Sequence, residues 1–277
     1  MVILMEVPDG GTPPQIITLI TDFGSKDAYV GCMKGVILSI HPKVKVVDIS
    51  HDIPKFNVRY GAFVLAQVFR YFPEGTIHVA VVDPGVGIAR RPLVIKTSNY
   101  FFIGPDNGVL AFAASEDGVR RVVEITNKEY MLRGPSKTFA GRDVFAPAAA
   151  HIAKGVSLDE IGPDVDDFRA LPIPRPTVAG DRVIGEVLVV DSFGNLITNI
   201  RPSDFERRVK PGLLLKTEVR KTVKELPFVN TYGEVKRGEV MALIGSSGFL
   251  EIAVNQGSAS QVFEAEQGDP IKIMFLP

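Results

Sequence analysis

A carboxylate and a guanidinium lie close together directly after a buried strand pattern. The apolar, β-branched run Ile77–Val82 ends in the segment DPGVGIARR, which begins at Asp83 and contains Arg90. Ligands of open α/β sheets bind outside the carboxyl ends of strands, where side chains converge, so Asp83 and Arg90 are candidate site residues. The same segment is also typical of a turn carboxylate neutralised by a neighbouring guanidinium.

A second carboxylate follows another strand pattern. Ile16–Thr21 is a continuous apolar run, Asp22 comes next, and the apolar spacing over Tyr29–Ile40 predicts a helix. A carboxylate in this position can cap the helix or accept two hydrogen bonds from a ligand diol such as a ribose, and both interpretations stay open. The loop has no GxGxxG or GxxxxGK run, which disfavours a nucleotide bound through its phosphates.

Polar and aromatic residues that could bind other parts of the same ligand occur later in the chain. The segment DSFGN interrupts two strand patterns and supplies Asp191, Phe193 and Asn195. It could form a plain turn, or it could offer a stacking surface, hydrogen bonds to a base edge and polar contacts to an amino acid. The further candidates for such a site are Ser246, Ser247 and Asn255. The set fits adenosine plus an amino acid.

Two other kinds of catalytic site lack support in the sequence. The histidines, which are His41, His51, His78 and His151, show no spacing typical of metal ligands. The run GSSG at Gly245–Gly248 is only superficially similar to a nucleophile elbow, because it lies between predicted strands. We therefore expect neither a metal site nor a serine nucleophile.

The composition is that of an ordinary globular protein. The 277 residues are 45% hydrophobic and 23% charged, with a formal net charge of −1, so there is no basic excess for nucleic acid. Cys32 stands alone, which excludes an intrachain disulfide and fits a reducing compartment. No stretch reaches the roughly 20 apolar residues of a membrane span. We expect a cytoplasmic protein with no membrane partner.

The alternation of strand and helix patterns predicts an α/β domain with a Rossmann-like, mainly parallel sheet. Its further predicted elements are a strand at Val44–Ile49, a helix at Tyr60–Phe72, strands at Leu93–Lys96 and Tyr100–Ile103, and a helix at Asp143–Lys154. A proline-rich stretch follows, and the pattern then changes to short strands, which predicts a small barrel or sandwich. These strands are expected at Val183–Asp191, Leu196–Ile200, Leu213–Val219, Glu239–Ile244, Phe249–Val254 and Ile271–Phe275. The expected divisions are a flexible tail at 1–15, the α/β domain at 16–170, a linker at 171–180 and the β domain at 181–277.

Seven motifs occur in a fixed order along the chain. They are TDFGSKDAYVGCMKG from Thr21, SHDIP from Ser50, VDPGVGIARR from Val82, GPDNG from Gly104, TFAGRDVFAP from Thr138, DSFGN from Asp191 and GSSGFLEIAVNQGSA from Gly245. Together they resemble the S-adenosylmethionine hydroxide adenosyltransferases, which are relatives of the fluorinating and chlorinating enzymes. The resemblance begins at about Ile16 and leaves out only the tail.

The resemblance implies a fold and a reaction. The implied fold is an amino-terminal α/β domain followed by a β-barrel, assembled as a homotrimer with active sites between neighbouring subunits. The implied reaction is attack of water or hydroxide on the ribose 5′ carbon of S-adenosylmethionine, which releases adenosine and methionine. No metal or organic cofactor is implied.

The resemblance also implies how the nucleoside is held. Asp22 would hold the ribose hydroxyls, and Phe56 would line the ribose or adenine pocket. Phe193 would stack on adenine, while Asn195 and Asn255 would read the edge of the base.

Other matched positions would hold the amino acid and the nucleophile. Asp191 would face the methionine ammonium, and Ser246 and Ser247 would approach its carboxylate. Asp83 would accept a proton or hydrogen bond from water, with Arg90 fixing the charge and orientation of that carboxylate.

One position departs from the family pattern. Hydrolytic members pair the equivalents of Asp83 and Arg90 with a histidine in a TFHGRD-like segment, but this chain has Ala140 there. Loss of a proton-shuttling imidazole commonly slows a reaction by about two to four orders of magnitude. A designed replacement would explain alanine at this position, and natural divergence is the competing explanation. The expected function is an impaired S-adenosylmethionine hydrolase; the alternatives are a non-catalytic binder of S-adenosylmethionine or adenosine, and a halide adenosyltransferase.

Overall fold

The computed structural model describes residues 15–88, 90–171, 173–205 and 210–275. The chain divides into two compact units, Met1–Leu171 and Pro172–Pro277. Except for Gln15, the tail predicted at residues 1–15 lies outside the described residues. Over the described ranges, every helix is too short or too polar to cross a membrane.

The first unit contains a six-stranded sheet with helices on both faces. Its strands are Ile16–Thr21 (β1), Lys45–Ser50 (β2), Ile77–Val81 (β3), Pro92–Thr97 (β4), Phe101–Pro105 (β5) and Val119–Glu124 (β6). Its α-helices are Tyr29–Ile40 (α1), Val58–Val68 (α2), Ala111–Asp117 (α3), Ala146–Ala153 (α4) and Leu158–Ile161 (α5). Single turns of 3₁₀-helix lie at Phe69–Tyr71 and Lys128–Tyr130, and a π-helix at Gly141–Phe145.

The strand order is β2-β1-β3-β5-β4-β6. The pairs β2–β1, β1–β3 and β3–β5 are parallel, which confirms the α/β prediction, whereas β4 pairs with β5 and β6 in antiparallel fashion. The short connection between β4 and β5 allows only a hairpin, because a parallel pair needs a crossover of a dozen or more residues.

Side chains of the central strands alternate between two apolar layers. Ile17 and Leu19 of β1 pack in one cluster with Met33 of α1, while Ile20 packs in another with Leu65 of α2. Burial on both faces explains why β1 and β3 are nearly continuous apolar runs.

The register of this sheet brings two predicted site residues to one edge. Thr21, at the end of β1, pairs with Val81, at the end of β3. Because the strands are parallel, Asp22 and Asp83 leave the sheet at the same carboxyl edge, where such sheets bind ligands.

The second unit is antiparallel and closes into a barrel-like sheet. Its strands are Thr177–Ala179 (β7), Arg182–Val190 (β8), Leu196–Thr198 (β9), Leu214–Val219 (β10), Thr222–Pro227 (β11), Val240–Ile244 (β12), Leu250–Val254 (β13) and Pro270–Phe275 (β14). A short helix, Ala259–Phe263 (α6), follows β13. The order is β11-β10-β14-β8-β9-β13-β12, with β7 on β8, and a bridge between Phe228 and Ala242 brings the two ends of the order together.

Candidate functional site

Asp83 uses its two carboxylate oxygens differently. Oδ2 accepts hydrogen bonds from the Nε of Arg90, at 2.8 Å, and from its Nη2, while Oδ1 is buried and has no hydrogen-bond partner among the described residues. The guanidinium of Arg90 also lies over the ring of Phe145, 5.5 Å from its centroid, and this cation–π contact stabilises its position. The pair is well shielded, with 5% of the Asp83 side chain and 15% of the Arg90 side chain exposed. Because buried carboxylate oxygens are nearly always hydrogen-bonded, Oδ1 is suited to accept from a bound molecule.

Asp22 does not cap helix α1, so that interpretation of the sequence is wrong. The N-cap residue is Ala28, which makes no side-chain capping hydrogen bond. Instead, the buried Asp22 Oδ2 accepts a hydrogen bond of 2.8 Å from the backbone N–H of Phe56, and the Lys55 ammonium donates to the Asp22 carbonyl. The carboxylate therefore ties the end of β1 to the segment that follows β2.

Phe56 has a strained backbone and an exposed ring. Its φ is 65°, which is rare for a bulky residue, and 69% of the residue is exposed. Strain of this kind persists only where the surroundings enforce it, and it concentrates at ligand sites. The hydrogen bond from the Phe56 N–H to Asp22 helps to hold this backbone conformation, in which the ring is exposed.

A hydrogen-bonded histidine supports this corner of the sheet. The Nδ1 of His51 lies 2.8 Å from the Thr21 hydroxyl, and the His51 carbonyl accepts from the Gly24 N–H at 2.7 Å. The predicted structural role of the histidines fits here, since His51 joins the loops after β1 and β2.

Four predicted site residues line one cavity of about 360 Å³. They are Asp22, Phe56, Asp83 and Ala140, and Arg90 stands behind Asp83. The volume is in the usual range for a small-molecule site. The cavity thus unites residues that are widely separated in the sequence.

An aromatic wall on this cavity, made by Phe23, Tyr29 and Phe139, was missed from the sequence. The ring centroids are 5.7 Å apart for Phe23 and Tyr29, 5.8 Å for Phe23 and Phe139, and 5.1 Å for Tyr29 and Phe139. Phe23 directly follows Asp22 and Phe139 directly precedes Ala140, so adjacency to the motif residues was the available signal. Asp27 and Lys55 also line the cavity and were not predicted.

Ala140 lies at the start of the π-helix Gly141–Phe145, not in the loop before a regular helix. The predicted helix Asp143–Lys154 is therefore corrected to a π-helical turn followed by α4. The buried Asp143 accepts hydrogen bonds from Arg142 Nε at 2.6 Å and from the Ser136 N–H at 2.7 Å. These bonds fix the segment that carries Ala140, and π-helical turns are frequent at functional sites.

In the second unit, Asp191–Asn195 forms a tight turn that we call the aromatic loop. The Oδ1 of Asp191 accepts from the N–H groups of Phe193 and Asn195, at 2.9 and 2.8 Å, and Oδ2 accepts from Asn195 Nδ2 at 2.9 Å. Gly194 has a φ of 84°, and a Cβ there would lie 2.1 Å from the Ser258 Oγ. This turn leaves Asn195 buried and presents the Phe193 ring with 77% of the residue exposed.

The run Gly245–Gly248, which we call the serine turn, connects β12 to β13 in an antiparallel hairpin. Its Gly245 N–H donates to the Phe249 carbonyl at 3.0 Å. Ser246 is exposed, whereas the Ser247 Oγ is buried without a hydrogen-bond partner in the described ranges. The hairpin has no strand-turn-helix geometry, so a nucleophile elbow is excluded.

Asn255 follows β13 at the end opposite the serine turn. One of its side-chain amide hydrogens is used within the protein, since Nδ2 donates to the Val235 carbonyl at 2.8 Å. The pairing of Ile252 with Leu196 brings the aromatic loop toward the Asn255 end of β13. The roles in binding a base or an amino acid assigned to this second set of residues stay predictions.

Comparison with known proteins gives a consistent result for both units. The family model described as the SAM hydroxide adenosyltransferase N-terminal domain matches residues 17–162, and that of the C-terminal domain matches residues 185–272. A Salinispora tropica protein named (R)-S-adenosyl-L-methionine hydrolase is 38% identical, over 94% of this chain and 98% of its own length. A fluorinase from an Actinoplanes species is 29% identical, over 95% and 97% of the two chains.

The fold is also similar to that of a solved structure. The crystal structure of an uncharacterized conserved protein from Thermotoga maritima superposes with a TM-score of 0.88 at 41% sequence identity. The match covers 93% of this chain and 99% of that one.

Proposed function

The chain belongs to the SAM hydroxide adenosyltransferase family, and we propose that it hydrolyses S-adenosylmethionine to adenosine and L-methionine. An oxygen of water or hydroxide forms a bond to the ribose 5′ carbon while the bond from that carbon to sulfur breaks. The electron pair of the broken bond goes to sulfur, and the proton of an attacking water goes to a base. The greater similarity to a named hydrolase than to a fluorinase supports oxygen as the nucleophile.

The observation that carries this proposal is the unpaired oxygen of Asp83. Oδ1 is buried without a partner among the described residues, Oδ2 is held by Arg90, and Asp83 lines the same cavity as Asp22 and Phe56. A carboxylate oriented in this way can accept a hydrogen bond from a nucleophilic water and draw away its proton. Arg90 holds the carboxylate in place through two hydrogen bonds, and its positive charge favours hydroxide.

The departure of the leaving group needs no catalytic group from the protein. Sulfur leaves as a neutral thioether because the substrate is a sulfonium, so no acid is required at the leaving group. Alignment of a partly desolvated nucleophile can lower a barrier by up to roughly 7 to 11 kcal/mol. For the same reason we propose that the reaction uses no metal or organic cofactor, and we expect EDTA to leave turnover unchanged.

Ala140 favours a second candidate, a non-catalytic binder of S-adenosylmethionine or adenosine. The residue lines the same cavity as Asp83 but offers only a methyl group. A site that binds substrate without an additional proton acceptor could hold it without turnover. A halide adenosyltransferase is the third candidate, on the strength of the fluorinase similarity.

Product analysis separates these candidates. The chain is incubated with S-adenosylmethionine, with and without chloride, and adenosine, methionine and halogenated nucleosides are quantified by chromatography. Hydrolysis gives equal amounts of adenosine and methionine, and an Asp83→Asn variant is expected to lose at least tenfold in rate. A halogenated nucleoside would establish the third candidate, and tight binding without product would establish the second.

The assembly and location are part of the same proposal. The family resemblance supports a homotrimer with active sites between neighbouring subunits, and the lone Cys32 fits a cytoplasmic protein. Light scattering coupled to size-exclusion chromatography tests the trimer, and a monomeric mass at micromolar concentration would contradict it.

A further inference from the structure

A carboxylate that the proposed reaction does not use is buried in the second unit. Glu251 lies in β13 and is 4% exposed. Its Oε1 accepts a hydrogen bond of 2.6 Å from the hydroxyl of Tyr232. A buried carboxylate costs free energy unless its charge is compensated, and a neutral hydroxyl compensates it only in part.

The strand register places Glu251 between the two loops of the second unit that carry predicted substrate contacts. It pairs with Ile197 of β9, two residues beyond Asn195 and the aromatic loop. On its other side it pairs with Leu243 of β12, two residues before the serine turn.

The carboxylate lies directly against the serine turn. A Cβ built on Gly245 would be 2.4 Å from Glu251 Oε2, which is closer than any real contact. A side chain at the start of this turn would displace the Glu251 carboxylate, so the backbone of the turn lies against it.

The charge of Glu251 adds to that of the aromatic loop. Burial raises the pKa of Glu251 and the negative charge of Asp191 raises it further, although the Tyr232 hydrogen bond acts in the opposite direction. Within the ranges that the structure describes, neither carboxylate forms a salt bridge with lysine or arginine. Two interacting carboxylates without a cationic partner create a negative potential that favours a cation.

We propose that Glu251 is a positioning residue for the amino-acid part of the substrate. It supports the serine turn and adds negative charge beside Asp191, which together favour an ammonium group next to a carboxylate-binding turn. This inference rests on the proposed function, because the ammonium is that of S-adenosylmethionine.

Calorimetric titration of the full chain at pH 8 tests the proposal, with S-adenosylmethionine and adenosine as the two ligands. Glu251→Gln keeps the size of the side chain and an acceptor for Tyr232 but removes the charge. We expect the Kd for S-adenosylmethionine to rise about tenfold, as loss of one nearby charge at intermediate dielectric implies. The Kd for adenosine, which has no ammonium, should stay within about twofold.

Glu218→Gln is the matched control. Glu218 lies in β10 of the same barrel and pairs with Lys272, with 3.1 Å between the charged atoms, so the variant makes the same change in net charge away from the two loops. Both ligands should bind this variant as they bind the unchanged chain.

The outcomes distinguish this inference from the function on which it rests. If the unchanged chain binds neither ligand, the proposed function and the inference both fall. If it binds S-adenosylmethionine and Glu251→Gln binds both ligands equally well, or loses both in equal measure, only the inference is overturned. Should Glu251→Gln not fold, Tyr232→Phe removes the donor and leaves the carboxylate in place. That variant should weaken S-adenosylmethionine binding about threefold without affecting adenosine, and an unchanged affinity would overturn the inference.

Discussion

The two carboxylate oxygens of Asp83 have different hydrogen-bonding roles because the guanidinium of Arg90 binds only one of them. Arg90 donates from both Nε and Nη2 to the same oxygen, so the other oxygen of this cavity-lining residue keeps its lone pairs unused by protein donors among the described residues. A lysine has a single donor atom and a flexible stem and could not fix the carboxylate plane in this way. The sequence predicted the pairing of Asp83 with Arg90, but not the unpaired oxygen, which depends on the surrounding packing.

Replacement of Arg90 by lysine should therefore lower turnover although the charge is kept. We expect Arg90→Lys to reduce kcat at least tenfold, since geometric misplacement of a catalytic group commonly costs that much. Arg91→Lys is the control, because Arg91 pairs with Asp106 and Asp167. Equal kcat values for the two variants, measured by adenosine release, would argue against the orienting role of Arg90.

Position 140 tests whether a second proton acceptor is missing. Ala140→His places an imidazole at the cavity that Asp83 lines, and we expect adenosine release to rise by about two to four orders of magnitude. Initial rates of the two chains under saturating substrate give the comparison. An unchanged rate would mean that this position does not carry the missing catalytic group.

At the scale of elements, the site depends on contact between two loops that are distant in sequence. The loop after β3 carries Asp83, and the segment before the π-helix carries Ala140. They meet where Gly87, with a φ of 81°, would bring a Cβ to 2.8 Å from the Lys137 carbonyl oxygen. A glycine is therefore required at this crossing both for its backbone conformation and for its lack of a side chain.

Gly87→Ala should separate these loops and lower turnover at least tenfold. Gly75→Ala is its control, because Gly75 has a nearly identical φ of 82° but no atom within 4 Å of the added carbon. Both variants bear a similar backbone strain of about 1 kcal/mol, so the midpoint of urea unfolding should fall in both, and further in Gly87→Ala because of the added clash with Lys137. A normal kcat in Gly87→Ala would show that the contact is not needed for activity.

The strands were predicted better than the features that form the cavity. Continuous apolar runs identify β1 and β3 because both faces of these strands are buried. The antiparallel strand β6 and the helix α3 were not predicted, since their residues are partly exposed and their patterns weaker. The left-handed backbone of Phe56 is stabilised by a hydrogen bond to Asp22, which lies in a different loop. A contact between distant loops cannot be predicted from the local sequence pattern.

At the scale of the whole molecule, the residues predicted to contact different parts of the substrate lie in different units. Those predicted for the ribose and the nucleophile are in the first unit, and those predicted for adenine and the amino acid are in the second. This assignment of roles is what the family resemblance implies, and it stays a prediction. The aromatic wall was not predicted, because the proximity of Phe139 to Phe23 and Tyr29 arises only from folding.

The stability of the first unit should depend on pH mainly through the buried His78, although burial also lowers the pKa of His151. His78 in β3 is fully buried beside Phe102 and hydrogen-bonds to Thr18 at 2.8 Å, and burial lowers its pKa from 6.5 to about 3. The folded state therefore binds fewer protons than the unfolded state between these values. Stability is fully present above pH 6.5 and is lost as the pH falls toward 3.

Urea unfolding at pH 7 and pH 5 checks this dependence. Between these pH values the unchanged chain should lose about 2 kcal/mol more of its free energy of unfolding than His78→Gln, whose side chain does not titrate. Identical losses in the two proteins would show that His78 is not the group responsible.

Turnover of S-adenosylmethionine in water enriched in oxygen-18, followed by mass spectrometry of both products, tests the proposed chemistry most directly. We predict that adenosine carries one labelled oxygen, at the 5′ position, and that methionine carries none, because the solvent oxygen bonds to the ribose carbon and sulfur keeps the electron pair. Unlabelled adenosine, or no product from either the unchanged chain or Ala140→His, would contradict hydrolysis at this site.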